Sequence, residues 1–211
     1  MADLSKSDIW SIVHAERKAL VSDLEQLNDA QWTAQTLCSE WNVQQRLGHM
    51  TATARITPGK FLPKLNGSGV SFTRMQAKDI AAETAGGPKG VLANFAGLVD
   101  ATNKPPGPPQ TVLGETIVHA SDIRRPLGIA HEFPPEALAA VGDFYRGSNL
   151  IIGGKKRAAG VTVKATDTTW TAGEGPVVSG PALSLVMAIA GRKAVVEDLS
   201  GEGVSILSGR M

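Results

Sequence analysis

At 211 residues the chain is long enough for one or two domains whose core needs neither disulfides nor a structural metal. Twenty-one Lys and Arg against 20 Asp and Glu leave a net charge of +1, which excludes a strong electrostatic pull on nucleic acid or anionic lipid. A hydrophobic content of 42% excludes a disordered chain, and the one cysteine, Cys38, excludes an internal disulfide and a cysteine-rich zinc site.

The opening Met-Ala-Asp-Leu-Ser-Lys is polar and lacks the basic-then-apolar pattern of a leader, and the longest apolar stretch, near residues 181–190, is about half a membrane span. A cytoplasmic protein is expected. Trp10, Val13, Leu20, Leu24 and Leu27 recur at helical spacing, interrupted by Arg17, in a helix that begins near residues 5–7. A polar loop follows. Asn42 then suits the N-cap of a second helix whose core face is Val43, Leu47, Met50 and Ala54, ending near Pro58 or Pro63. Further helices are expected over about residues 72–85, 89–101, 110–125 and 134–150, separated by Gly86-Gly87-Pro88, the run Pro105-Pro106-Gly107-Pro108-Pro109, and Pro126-Leu127-Gly128.

Gly153-Gly154-Lys155-Lys156-Arg157 reads as a linker. Beyond it, Val161-Thr162-Val163-Lys164-Ala165 alternates as a strand, Thr168-Thr169-Trp170-Thr171 suits a second, and Gly180-Pro181 opens a short helix to about residue 190. The tail from Asp198 carries no clear pattern. The expected architecture is mainly α: a helical bundle over residues 1–152 and a small α/β domain over 158–211.

Glu115 and His119 stand four residues apart on one helix, so their side chains lie about 40° apart around its axis and about one turn apart along it. Such a pair can grip one divalent cation or can be an ordinary surface contact. Asp122 continues the stripe. His49 lies about 140° from the centre of its helix's apolar face, beside Arg46, Thr53 and Ile56. With Glu115 and His119 it would make a two-His, one-carboxylate set with an open position, the pattern of a catalytic rather than a structural zinc site. His14 reads as a surface or core-edge residue, His131 as a loop residue and Cys38 as a small buried hydrophobe. Walker and G-x-S-x-G motifs are absent.

Leu37-Cys38-Ser39-Glu40-Trp41-Asn42-Val43 followed by Leu47-Gly48-His49-Met50 resembles the signature of the mycothiol-dependent maleylpyruvate isomerase family, whose N-terminal domain is a DinB-like metal-binding four-helix bundle. Glu115-Thr116-Ile117-Val118-His119, with Asp122-Ile123-Arg124-Arg125-Pro126-Leu127-Gly128, is similar to the family's second ligand segment. Val163 to Asp167, Gly180-Pro181-Ala182-Leu183, Gly191-Arg192 and Gly201-Glu202-Gly203 resemble its small C-terminal domain in order. The resemblance implies a divalent metal, zinc first, on His49, Glu115 and His119. Three positions depart from the family pattern: Glu40 in place of glycine, Arg46 in place of an apolar residue and Gly48 in place of alanine. Arg46 is expected to bring positive charge to the metal mouth or to pair with Glu40.

The resemblance also implies chemistry. A metal would lower the pKa of the sulfur of mycothiol, and the thiolate would add to a small electrophile, giving a transferase, or an isomerase if rotation and loss of thiol follow. Arg124, Arg125 and Arg192 are candidate anion contacts or ordinary surface arginines. A thiol-independent metal hydrolase and a non-catalytic protein that binds or sequesters a small molecule stand as alternatives. The expected partners are a small-molecule thiol and its substrate, with no nucleic acid and no membrane, in a monomer or weak dimer.

Overall fold

The computed structural model describes residues 4–149 and 152–211. The contacts divide the chain into two units, one of residues 6–131 and one of residues 132–211 with Leu4 and Ser5. The sequence reading set the boundary at the 153–157 stretch. The contacts set it one helix earlier, because the helix Pro135–Gly147 packs on elements that follow it.

The N-terminal unit holds α1 (Lys6–Leu24), α2 (Asp29–Trp32), α3 (Val43–Arg55), α4 (Pro58–Asn66), α5 (Phe72–Thr84), α6 (Gly87–Ala96) and α7 (Gln110–Arg124). Helix α1 buries Trp10, Val13, Leu20 and Leu24, as its periodicity requires. Arg17 does not interrupt that stripe but lies within it, 1% exposed. Its Nη1 donates to the carbonyls of Leu98 (3.4 Å) and Ala101 (2.9 Å), groups that lie beyond the end of α6. Asn42 caps α3 in a reciprocal box: its side chain accepts from Gln45 N–H at 2.9 Å, and Gln45 Oε1 accepts from Asn42 N–H at 3.1 Å. Ile56 and Thr57 are extended ahead of Pro58, which ends α3. Pro58 then starts α4, a separate helix that the sequence reading, with the second helix ending near Pro58 or Pro63, did not assign.

Helix α3 packs on α5, α6 and α7, and α1 packs on α6 and α7. The four-helix bundle is thus α1, α3, the consecutive pair α5–α6, and α7. Gly48 is where α3 meets α5: a Cβ there would fall 2.8 Å from Thr84 Cγ2, which accounts for glycine where the family pattern has alanine.

The C-terminal unit holds α8 (Pro135–Gly147), α9 (Gly154–Arg157), β1 (Thr162–Ala165), β2 (Thr171–Gly173), β3 (Val177–Gly180), α10 (Ala182–Ile189), a 3₁₀ turn (Lys193–Asp198) and α11 (Val204–Ser208). The expected reach of α8 to Leu150 falls partly outside the described residues; the helix ends at Gly147. The sheet order is β2-β1-β3, antiparallel between β1 and β2 and parallel between β1 and β3. The second strand begins at Thr171 rather than Thr168, because residues 166–169 form the turn and Trp170 points to the core. Trp170 lies against Gly142 of α8, where a Cβ would fall 2.2 Å from the indole, and its Nε1–H donates to Asp143 at 3.2 Å. Helix α10 packs on α8 and on β1 and β3. Among the described residues no helix is long and apolar enough to cross a membrane, and the leader reading of Met1–Asp3 lies outside them.

Candidate functional site

The site lies in the N-terminal unit, between α3 and α7. Capping by Asn42 fixes the start of α3 and so sets Arg46 and His49, three residues apart, on one side of it. Helix α7 presents Glu115, His119 and Asp122 at spacings of four and three residues. One ligand atom each from His49, Glu115 and His119 lie within 4.8 Å of one another. It is the one such cluster among the described residues. The two imidazoles meet edge to face, with ring centroids 5.1 Å apart.

Around these three a second layer is in place. Asp122, fully buried, approaches His119 Nδ1 at 3.1 Å and Arg46 Nη2 at 3.2 Å. Arg46 is 1% exposed, and its guanidinium lies 4.6 Å from the centroid of Trp41. The Trp41 ring in turn lies 5.0 Å from that of His49. Arg46 therefore pairs with Asp122, not with exposed Glu40.

The loop carrying Trp41 is held from both sides. Thr36 Oγ1–H and Gln35 Nε2–H donate to the Trp41 carbonyl at 2.7 Å and 2.8 Å. Leu37 N–H donates to the main-chain carbonyl of Asp122 at 3.0 Å. That carbonyl would serve residue 126 in a continuing helix, but Pro126 has no N–H to give. The two sequence segments that carried the resemblance are thus physically tied at this hydrogen bond.

Burial, then the charges of His119 and Arg46, hold His49 well below the usual histidine range, in the neutral form that can ligate. Burial raises the Glu115 carboxyl to about 7, against the opposing pull of Arg17, a hydrogen bond from Thr53 and Arg46. Glu115 Oε1 is buried with no hydrogen-bond partner among the described residues. A buried, unpaired carboxylate oxygen beside two imidazoles is the environment that a divalent cation satisfies. The residues present fit such an ion by donor type, number and convergence.

The other singled-out residues lie elsewhere. His14 stacks on Trp10 at 5.8 Å and lies 4.0 Å from Asp100. His131 Nε2 meets buried Glu16 at 2.6 Å. Arg124 is not a surface arginine: it is 2% exposed, with Nε–H donating to Asp23 at 2.7 Å. Arg125 is exposed at the end of α7, and Arg192, in the C-terminal unit, donates to the carbonyl of Ala190 at 3.0 Å. Cys38 is half-buried, its carbonyl engaged by Thr36 and Gln35.

Residues 13–105 match the sequence model of the mycothiol maleylpyruvate isomerase N-terminal domain. Over these residues the chain is similar to that domain. Within the mycothiol maleylpyruvate isomerase domain match lie His49, Arg46 and Trp41; Glu115 and His119 follow it. Two solved structures share the fold over the length of both chains. The crystal structure of the mycothiol-dependent maleylpyruvate isomerase aligns with a TM-score of 0.67 and 14% identity, covering 95% of this chain and 94% of that one. A histidine-to-alanine mutant of that enzyme aligns with a TM-score of 0.66 and the same identity and coverage. No curated protein matches the sequence.

Proposed function

We propose that this protein is a divalent-metal-dependent enzyme that uses a small-molecule thiol, with mycothiol the first candidate, to add to or isomerise a small electrophilic substrate. The observation that carries the reading is the convergence of His49, Glu115 and His119 within 4.8 Å in a chain similar to this domain. A bound divalent ion, zinc first, would supply Lewis acidity that lowers the pKa of a thiol sulfur into the neutral range.

The chain's own residues do the rest. His49 and His119 offer neutral nitrogen donors and Glu115 an anionic oxygen, and three protein ligands leave a position for an outside sulfur. Burial of His49 and Glu115 lowers the local dielectric and so strengthens every charge interaction there. No cysteine of the chain is among the donors, so the working sulfur comes from the thiol cosubstrate. A cytoplasmic setting, where small thiols stay reduced, suits this chemistry.

The test is thiol dependence. Purified protein loaded with zinc is expected to form conjugates or isomerised product from an activated alkene or epoxide only when mycothiol is present. Turnover without thiol would replace this reading with hydrolysis, and protection at one equivalent without turnover would replace it with sequestration.

Metal uptake should also depend on pH. Glu115 titrates at about 7 in the metal-free fold, so below that value an incoming cation displaces its proton. Apparent affinity is expected to fall by about tenfold for each unit of pH below about 7, and this group's contribution levels off above it. The same shift carries the opposite sign for the metal-free fold. A carboxyl raised above its unfolded value of 4.5 stabilises the fold in acid, and that contribution is lost as pH rises towards 7. Calorimetric titrations in two buffers of different ionisation enthalpy count the released proton; a flat affinity across that window would remove Glu115 from the ligand set.

A further inference from the structure

The geometry points to Arg46 as a positioning residue that sets both histidines of the site, through two separate contacts. The inference rests on the reading of His49, Glu115 and His119 as metal ligands. In one direction Arg46 holds Asp122 at 3.2 Å, and Asp122 meets His119 Nδ1 at 3.1 Å. A carboxylate at that distance accepts a hydrogen from Nδ1, which fixes the ring's tautomer and leaves Nε2 as the nitrogen with a lone pair to give. In the other direction the guanidinium lies over Trp41, whose ring lies against His49. Arg46 itself holds none of the ligand atoms.

Charge explains why an arginine is needed. Asp122 is fully buried, and a buried carboxylate without a cation beside it would be costly enough to turn away. That would free His119 to rotate or change tautomer. A planar guanidinium can serve Asp122 at one edge while its face rests on an indole, which the compact ammonium of a lysine cannot reproduce. An apolar residue here would leave Asp122 without this partner.

The test has two readouts that do not require turnover. The first is metal affinity by chelator competition, with cobalt as a spectroscopic substitute for zinc, on wild type, Arg46→Met, Arg46→Lys, Asp122→Asn and the double variant Arg46→Met/Asp122→Asn. Arg46→Met is expected to bind about 10- to 100-fold more weakly. Arg46→Lys should recover part of the loss, and the double variant should lose less than the two single losses combined, because the two residues share the route to His119 while the Trp41 contact is Arg46's own. The second is the ring-nitrogen NMR of His119 in metal-free protein. Wild type is expected to carry its hydrogen on Nδ1, and Arg46→Met a mixture.

Affinity for Arg46→Met within about threefold of wild type, losses that add in the double variant, or a hydrogen on Nε2 in wild type would each overturn the proposal. If Arg46→Met does not fold, Arg46→Lys and Asp122→Asn carry the same two readouts. Wild type with Nδ1–H on His119 but no metal uptake would sink the metal reading while leaving the clamp on His119 intact.

Discussion

Replacement of His119 by alanine is expected to strip the metal from the protein and to lower thiol-dependent turnover by more than about a hundredfold, since even partners outside the ligand shell are worth 10–100-fold in affinity or activity. Three donors are the least that hold a catalytic zinc, and two leave it exchangeable. The fold should survive. His119 is half-buried at the mouth of the site, its removal opens no enclosed apolar cavity, and Asp122 keeps its pairing with Arg46. Elemental analysis should register a drop from about one equivalent of metal to under about a tenth, with an unchanged circular dichroism spectrum. A full equivalent retained by the variant would show that the site is somewhere else.

The second large effect concerns stability. Arg17→Ala is expected to cost about 3–5 kcal/mol, the range for a large buried side chain cut back to alanine with its acceptors left unpaired. Arg17 is 1% exposed, so solvent screens little of this. Its loss deprives the carbonyls of Leu98 and Ala101 of their shared donor and removes the first of the positive charges that oppose the raised pKa of Glu115. Urea unfolding should show a lower midpoint at an unchanged slope. Arg17→Met keeps most of the buried volume, so the difference between the two variants separates packing from charge. A loss below about 1 kcal/mol for the alanine variant would mean that Arg17 contributes little to the bundle.

The sequence marked the three residues that converge and hid their surroundings, for one reason. Helical spacing places Glu115 beside His119, and the family resemblance added His49, because each lies in a short local pattern. Arg17 looked like a break in a stripe, and Arg46 like a charge at the mouth, because a buried arginine reads the same as an exposed one until its partners are known. Those partners are the carbonyls of Leu98 and Ala101 in one case, and Asp122 and Trp41 in the other. The surface reading of Arg124 fails on the same ground, its acidic partners Asp23 and Glu16 lying on α1.

In the fold, caps and prolines were dependable: Asn42 and Pro135 start the helices they were expected to start. The strand Val177–Gly180 carries too little alternation to be read, as four residues between Pro176 and Pro181, and its pairing with β1 supplies what local sequence lacks. Helix α4 was hidden by its own prolines, Pro58 and Pro63, and it buries none of its residues.

The tie between Leu37 N–H and the Asp122 carbonyl also bears on the order in which the molecule comes into being. During synthesis the Trp41 loop leaves the ribosome long before Pro126, the residue that leaves an acceptor for it. Until α7 has emerged, the loop can close on itself through Thr36 and Gln35 but has nothing to dock on. Helices α1 to α6 can meanwhile begin to associate through their own contacts. His49 of α3 therefore meets Glu115 and His119 only once the last helix of the bundle has emerged, and the proposed cation site is complete only then.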